Sequence, residues 1–299
     1  MFKIKSIIEV VAHCLLFTLV LSSCATSKNK INLSGDKVSK ITSTTIHLDE
    51  KRTGINQLRE YTIEHSDIPK AFDGKKILFL SDTHLPSLFK LKNLEALTSY
   101  IKTLDYDILC LGGDYHEQLN MIEPLFESLG RVVPSLGACA VLGNNDYERG
   151  YNQVVEALGK NKIKLLEHKI DTIKSRDSFI QIVGIRNPFD LKNNGVSPTL
   201  KLKDNDFVIM LTHTPDYAED VSIEKTDLVL AGHTHGGQVR IFGIAPIVPS
   251  KYDQRFLTGL VYTSSGIPMV VTNGIGTSQK NIRLGAPSEV ILIHLKATL

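Results

Sequence analysis

Five apolar runs, Lys76 to Leu80, Asp107 to Leu111, Ala138 to Leu142, Phe207 to Leu211 and Asp227 to Ala231, each stop at a short segment of Asp, His, Asn or Gly. Runs of this length bounded by turn residues read as strands buried on both faces. The segments that follow them are Asp82-Thr83-His84, Gly113-Asp114, Gly143-Asn144-Asn145-Asp146, His213 and Gly232-His233-Thr234-His235. In open α/β sheets ligands bind in the crevice outside the carboxyl ends of the strands, so segments scattered in sequence can meet at one place. Such convergence of carboxylates and imidazoles is what a metal centre requires.

Between and after these runs the periodicity changes. Leu91, Leu94, Leu97, Ile101 and Leu104 recur at three and four residues, the apolar stripe of a helix laid on a sheet. Helical patterns also cover Asn120 to Leu129 and Tyr151 to Leu158. Beyond Ile163 short strands predominate, at Lys164 to Leu166, Phe179 to Val183, Met269 to Thr272 and Val290 to His294. The pattern predicts an α/β fold of two packed mixed β-sheets flanked by helices. Arg59 to Ile63 alternates like an edge strand, and Asp73-Gly74 turns the chain into the first core strand. With 299 residues and 42% apolar composition the chain can bury a full core, and one domain is expected from Lys51 to residue 299. No internal repeat is present.

The amino terminus departs from this pattern. Lys3 and Lys5 precede a mostly apolar stretch from Ile7 to Leu21, closed by Leu21-Ser22-Ser23-Cys24. It resembles a bacterial lipoprotein signal with its lipobox, which implies a signal peptide over residues 1–24 and lipid on Cys24. The stretch is shorter than the roughly 20 residues of a membrane helix; an uncleaved interfacial anchor is the alternative. Residues 25–50, rich in Ser, Thr, Lys and Asn, read as a flexible tether. The protein is expected at the cell membrane, on the exported face, with an inward-facing anchor as the other topology. Cys110 and Cys139 sit inside apolar runs and read as core. A net charge of +2 without long basic runs gives no footprint for nucleic acid. A phosphorylated small-molecule or lipid substrate and a monomer are expected.

The order of the five segments resembles the calcineurin-like metallophosphoesterase family, from about Lys76 to the carboxyl terminus. The stretch from Gly232 to Arg240, Gly274-Ile275-Gly276-Thr277-Ser278 and Ile282-Arg283 resembles a membrane-associated bacterial subgroup. That subgroup includes exported envelope phosphatases and relatives that hydrolyse UDP-2,3-diacylglucosamine. The resemblance implies an αββα sandwich and two divalent metal ions. Asp82, His84 and His235 would hold one ion, Asn144, His213 and His233 the other, and Asp114 would bridge them. Mn is the expected metal, with Fe, Zn or Mg as alternatives. Two cations about 3.5 to 4 Å apart would activate a bridging hydroxide and neutralise charge on the phosphoryl oxygens. The implied reaction is hydrolysis of a phosphate ester or pyrophosphate bond of an envelope substrate, for example UDP-2,3-diacylglucosamine to UMP and lipid monophosphate. A non-catalytic scaffold of the same fold is the alternative.

The third segment departs from the family, which usually has Gly-Asn-His-Asp there. Asn145 replaces the histidine that contacts phosphate and protonates the leaving group, and asparagine cannot transfer a proton near neutral pH. Asn145, Asp146 and His116 are the expected catalytic residues beside the metals, His116 as a substitute acid. Arg283 is a candidate bidentate phosphate contact, and Gly274 to Ser278 could offer backbone N–H groups to an anion. His233 and His235 are expected on one side of an extended segment, as are Asp82 and His84. His13, His47, His65, His168 and His294 read as surface or core residues. A wall of the substrate pocket is expected from Asn187 to Asn205.

Overall fold

The computed structural model describes residues 39–298, so the signal sequence, Cys24 and the first part of the expected tether lie outside the described residues. Two sheets are built. The first runs β1 (Ser39–His47), β2 (Gln57–His65), β13 (Glu289–Ala297), β3 (Lys76–Leu80), β4 (Ile108–Leu111), β5 (Ala138–Ala140) and β6 (Ile163–Leu165). The second runs β11 (Gly259–Tyr262), β12 (Pro268–Val271), β10 (Leu228–Ala231), β9 (Val208–Thr212), β8 (Ser178–Gly184) and β7 (Lys169–Ser175).

Why these runs are continuously apolar is visible in their packing. Successive strand side chains face opposite ways, and both faces of the central strands of each sheet are covered. Ile77 and Phe79, with Ile108 and Cys110, face Ile209, Leu211, Leu228 and Leu230 across the gap between the sheets. Leu78, Leu80, Leu109 and Leu111 face outward against helices. Those helices are α1 (Leu91–Ile101), α2 (Ile122–Gly130) and α4 (Tyr151–Lys160); α3 (Asn144–Glu148) is the short turn that follows β5. Leu94, Leu97, Ile101, Leu125, Leu129, Val154 and Leu158 supply their buried stripe. Each such side chain contributes roughly 1.5–3 kcal/mol of burial. Val208, Met210, Val229 and Ala231 pack on the outer side of the second sheet, against Tyr217 and Phe256. Cys110 and Cys139 are buried free thiols, as expected.

β3, β4, β5 and β6 are mutually parallel, as are β8, β9, β10 and β12. The carboxyl ends of β3, β4, β5, β9 and β10 therefore carry the five polar segments. Three expectations change. β1 lies in the stretch assigned to a tether; its Ser/Thr-rich sequence buries little, and it is held by nine-residue antiparallel pairing to β2. The domain thus starts before Lys51. β2 is not an edge strand, because β1 flanks it on one side and β13 on the other. β7 and β11, largely polar or half-exposed, also escaped the reading of apolar pattern. Among the described residues no helix is long and apolar enough to cross a membrane.

Candidate metal centre

The ligand segments are pinned to one another by their backbones. Asp82 N–H donates to Gly113 O, His84 N–H to Asp114 O and Gly232 N–H to His213 O. Close approach dictates the glycines: a Cβ on Gly143 would fall on the Asp114 carboxylate, and one on Gly232 on Ser81 and Asp82. Asp82 (φ 55), His84 (φ 40), Asp114 (φ 54), His233 (φ 70) and His235 (φ 53) all lie in the left-handed region. Non-glycine residues rarely adopt it, and each instance costs on the order of 1 kcal/mol. The two histidines of Gly232-His233-Thr234-His235 thus converge differently from the expected extended segment. Thr234 is right-handed (φ −73, ψ −19) between two left-handed neighbours, so backbone alternation, not strand pleat, turns both rings inward.

Two ligand clusters result. Asp82, His84 and His235 form one and Asp114, His213 and His233 the other, the ligand atoms of each lying within 4.8 Å of one another. Asp114 Oδ2 stands 3.4 Å from both His84 Nε2 and His213 Nε2, between the clusters, where a bridging group belongs. His235 Nε2 is 3.5 Å from Asp82 Oδ1.

The hydrogen bonds of each ring decide which nitrogen faces the cleft. His213 Nδ1–H donates to Gly112 O at 2.8 Å, freeing Nε2. His84 Nδ1–H donates to Glu117 Oε1 at 2.6 Å, freeing its Nε2. His233 bonds the Pro249 backbone and turns Nδ1 toward His213 Nε2, 3.2 Å away. Among the described residues His84 Nε2 and Asn144 Oδ1 are buried without a hydrogen-bond partner. A buried nitrogen or oxygen without a partner is costly, and a cation at each cluster would satisfy it. The donor set, imidazole nitrogens with carboxylate and amide oxygens, suits divalent ions of the Mn, Fe or Zn type.

Charge among the ligand side chains is divided unequally. Burial alone would depress His213, but Asp114 overrides it and holds the ring at about 9. Burial and the His213 charge push His233 down to about 3. Burial resists ionisation of Asp114, yet His213 and His84 keep its carboxyl below the usual range.

The remaining expected residues are placed differently. Asp146 is fully buried and accepts the N–H groups of Asp114 (2.8 Å), Tyr115 (3.0 Å) and Gly143 (2.9 Å); it positions two ligand loops and does not reach substrate. Asn145 Nδ2 donates to Glu117 at 3.1 Å, and its N–H donates to Asp114 Oδ1 at 2.9 Å. His116 is buried with Nε2 on Arg149 O at 2.9 Å, and burial lowers its pKa. Neither residue holds out a proton at the cleft.

Arg283 is a correction as well: its guanidinium donates to the carbonyls of Asn273 (2.7 Å), Ala286 (2.9 Å), Gly276 (3.0 Å) and His235 (3.4 Å). A fork spent on carbonyls cannot clamp a phosphate, and burial pulls its pKa down to about 10. The N–H groups of Gly274 to Ser278 are likewise consumed by Thr272, Ser81, Asp82, Ser87 and Gln238.

Glu117, which orients His84, was not picked out in the sequence; an acid three residues after the bridging aspartate was its only signal. His65 joins Asp67 and Asp227 in a third cluster, where Asp67 N–H donates to His65 Nδ1 and Val208 N–H to Asp227. The metal clusters open into a cavity of about 340 Å³ whose lining includes Asp114, Asn144, His233 and His235 together with Val239, Ile247 and Ile282. No residue of the expected wall segment, Asn187 to Asn205, is among those lining this cavity; Phe189 instead packs its ring 5.1 Å from that of His233.

The chain is similar to known proteins of one family. The family model described as calcineurin-like phosphoesterase matches residues 75–237. The metallophosphoesterase YkuE of Bacillus subtilis is 30% identical over 249 residues, covering 80% of this chain and 85% of the relative. The phosphodiesterase YaeI of Escherichia coli is 29% identical over 235 residues, covering 74% and 82%. Phosphopantetheinyl hydrolase PptH of Mycobacterium tuberculosis, a solved structure, aligns with a TM-score of 0.41 at 12% identity, over 68% of this chain and 91% of that one. With its match spanning every ligand segment, this chain belongs to the calcineurin-like metallophosphoesterases and is a metal-dependent phosphoric ester hydrolase.

Proposed function

We propose that the enzyme cleaves a phosphodiester or pyrophosphate bond in an amphiphilic envelope substrate whose leaving group departs without a protein acid. The observation that carries this reading is the engagement of Asn145 with Glu117 and of His116 with Arg149 O. General acid catalysis is worth roughly 100- to 10,000-fold where a leaving group needs it, so alkyl monoesters are disfavoured. Nucleoside monophosphate and aryl leaving groups are not. The apolar part of the cavity lining, Val239, Ile247 and Ile282, fits a lipid or polymer portion, and the relative YaeI is named a phosphodiesterase.

Metal ions, once bound, would polarise the phosphoryl oxygens and supply the nucleophile at neutral pH; Mn is the proposed metal. The chain's own residues do the rest. Asp82, His84 and His235 would hold one ion and Asn144, His213 and His233 the other, with Asp114 placed to serve both. Glu117 and Gly112 O fix the tautomers of His84 and His213. Asp146 ties the Asp114 and Asn144 loops together.

The test is hydrolysis by the Mn-loaded full chain of bis-p-nitrophenyl phosphate, an alkyl phosphate monoester and UDP-2,3-diacylglucosamine, with Asp114→Asn as blank. The aryl diester and the nucleotide-linked lipid should turn over, and Asn145→His should raise turnover of the alkyl ester. Equal rates on alkyl and aryl esters, or no gain in Asn145→His, would count against the acid deficit.

A further inference from the structure

Beside the cavity mouth a hairpin projects from residues 239–247. Ile241 and Ile244 exchange backbone hydrogen bonds (2.9 and 3.1 Å) around a two-residue loop, Phe242-Gly243, with φ of 51 and 84. Both central residues at positive φ define a type I′ turn, whose preferred first residue is Asn or Asp. Here that strained position holds phenylalanine, and the ring is wholly exposed, at 101% of its reference area. Ile241, Ile244 and Ile247 of the hairpin are also exposed, as are Ile282 and Leu284. The hairpin is fixed to that second segment by Arg240 N–H on Leu284 O (2.7 Å) and Leu284 N–H on Gln238 O (2.8 Å).

Folding stability accounts for none of this, since a large apolar ring at a left-handed turn tip loses on both conformation and hydration. Exposed contiguous apolar surface of this kind marks an interaction site. The occupant can be argued from shape, charge and position. The apex is convex, a two-residue tip and not a groove. Residues 237–251 and 274–287 contain no acid. Of their cations the exposed Lys280 and the half-buried Arg240 face solvent, while Arg283 is spent on carbonyls and Lys251 pairs with Asp220, a charge that complements an anionic lipid surface. Ile247 and Ile282 belong both to the exposed patch and to the cavity that reaches the metal ligands, so the surface the patch touches is the surface from which substrate enters.

We propose that this hairpin, led by Phe242, inserts into a phospholipid bilayer and sets the cavity mouth at the level of the headgroups. The proposal deepens the envelope-substrate reading and rests on it for its purpose, but its physical claim is membrane insertion at one named tip.

The chain contains no tryptophan, so Phe242→Trp places a sole fluorophore at the tip. The Mn-loaded full chain carrying it is mixed with phosphatidylglycerol/phosphatidylcholine vesicles bearing brominated acyl chains. Emission should shift to shorter wavelength and be quenched, whereas Phe179→Trp, on β8, should be unaffected. Because the fluorophore reports only its own depth, the apolar stretch Ile7 to Leu21 does not confound the reading. The companion variant Phe242→Asn, suited to the turn, should lose roughly tenfold in turnover of vesicle-borne substrate and keep its rate on soluble bis-p-nitrophenyl phosphate. Unshifted, unquenched emission from the Phe242→Trp variant, in an enzyme still active on the soluble ester, overturns the proposal. Equal rates for Phe242→Asn and the parent on vesicles do the same. An insertion signal without turnover of any ester would instead defeat the functional reading and leave insertion standing.

Discussion

His84 can offer a metal only one nitrogen, because Glu117 takes the other at 2.6 Å. Glu117→Gln keeps the shape but weakens that acceptor, and metal affinity should fall roughly 10- to 100-fold in a titration monitored by calorimetry, with the circular dichroism spectrum unchanged. His213 sets the pH dependence of loading. Its pKa of about 9 in the bare site lies above the 6.5 of an unfolded histidine. The proton it carries therefore stabilises the metal-free fold fully below pH 6.5, and that contribution is lost as pH rises through 9. Metal must expel the proton, so apparent affinity should rise by up to about tenfold per pH unit below 9. Calorimetry in two buffers of different ionisation enthalpy reads this directly, and an absence of proton release would contradict it. The identity of the convergent residues was legible from the strand ends, since apolar runs closed by Asp, His and Gly leave few other interpretations. The roles of Asn145, Asp146, His116 and Arg283 were not. Each is decided by which carbonyl or N–H its side chain meets, and those partners lie up to 48 residues away.

At the scale of elements, the strands divide into two energetic kinds. Phe79 on β3 is fully buried between the sheets, and Phe79→Ala should cost about 3–5 kcal/mol in urea unfolding. Ile46 on β1 is 42% exposed, and Ile46→Ala should change stability by no more than about 0.5 kcal/mol. The same division explains what could be read beforehand. β3, β4, β5, β9 and β10 owe their existence to burial, which composition records. β1 and β7 owe theirs to backbone pairing with β2 and β8, which composition does not record. Helices α1 and α4 were legible because a periodic apolar stripe carries its own geometry. The left-handed turns at the ligands left only the faint signal that Asp and His tolerate positive φ better than branched residues.

Over the whole molecule, the metal centre is a junction between sheets. Asp82, His84 and Asp114 follow strands of the first sheet, His213, His233 and His235 strands of the second. His213 Nδ1–H on Gly112 O and Ile275 N–H on Ser81 O already cross that junction. A ligand at 100 times its dissociation constant adds about 2.7 kcal/mol to the folded state. Chelation by EDTA should therefore lower the thermal midpoint by several degrees, with recovery on adding Mn, and an unchanged midpoint would mean that no ion is held there. One feature of the topology also governs synthesis. β13 lies between β2 and β3, parallel to one and antiparallel to the other, although every other strand precedes it in the chain. A ribosome that has released residues up to 288 has made all the ligands but not the strand on which the first sheet closes. The β1–β2 pair can join β3 in the first sheet only after Glu289–Ala297 has been translated, because β13 is the strand that lies between them.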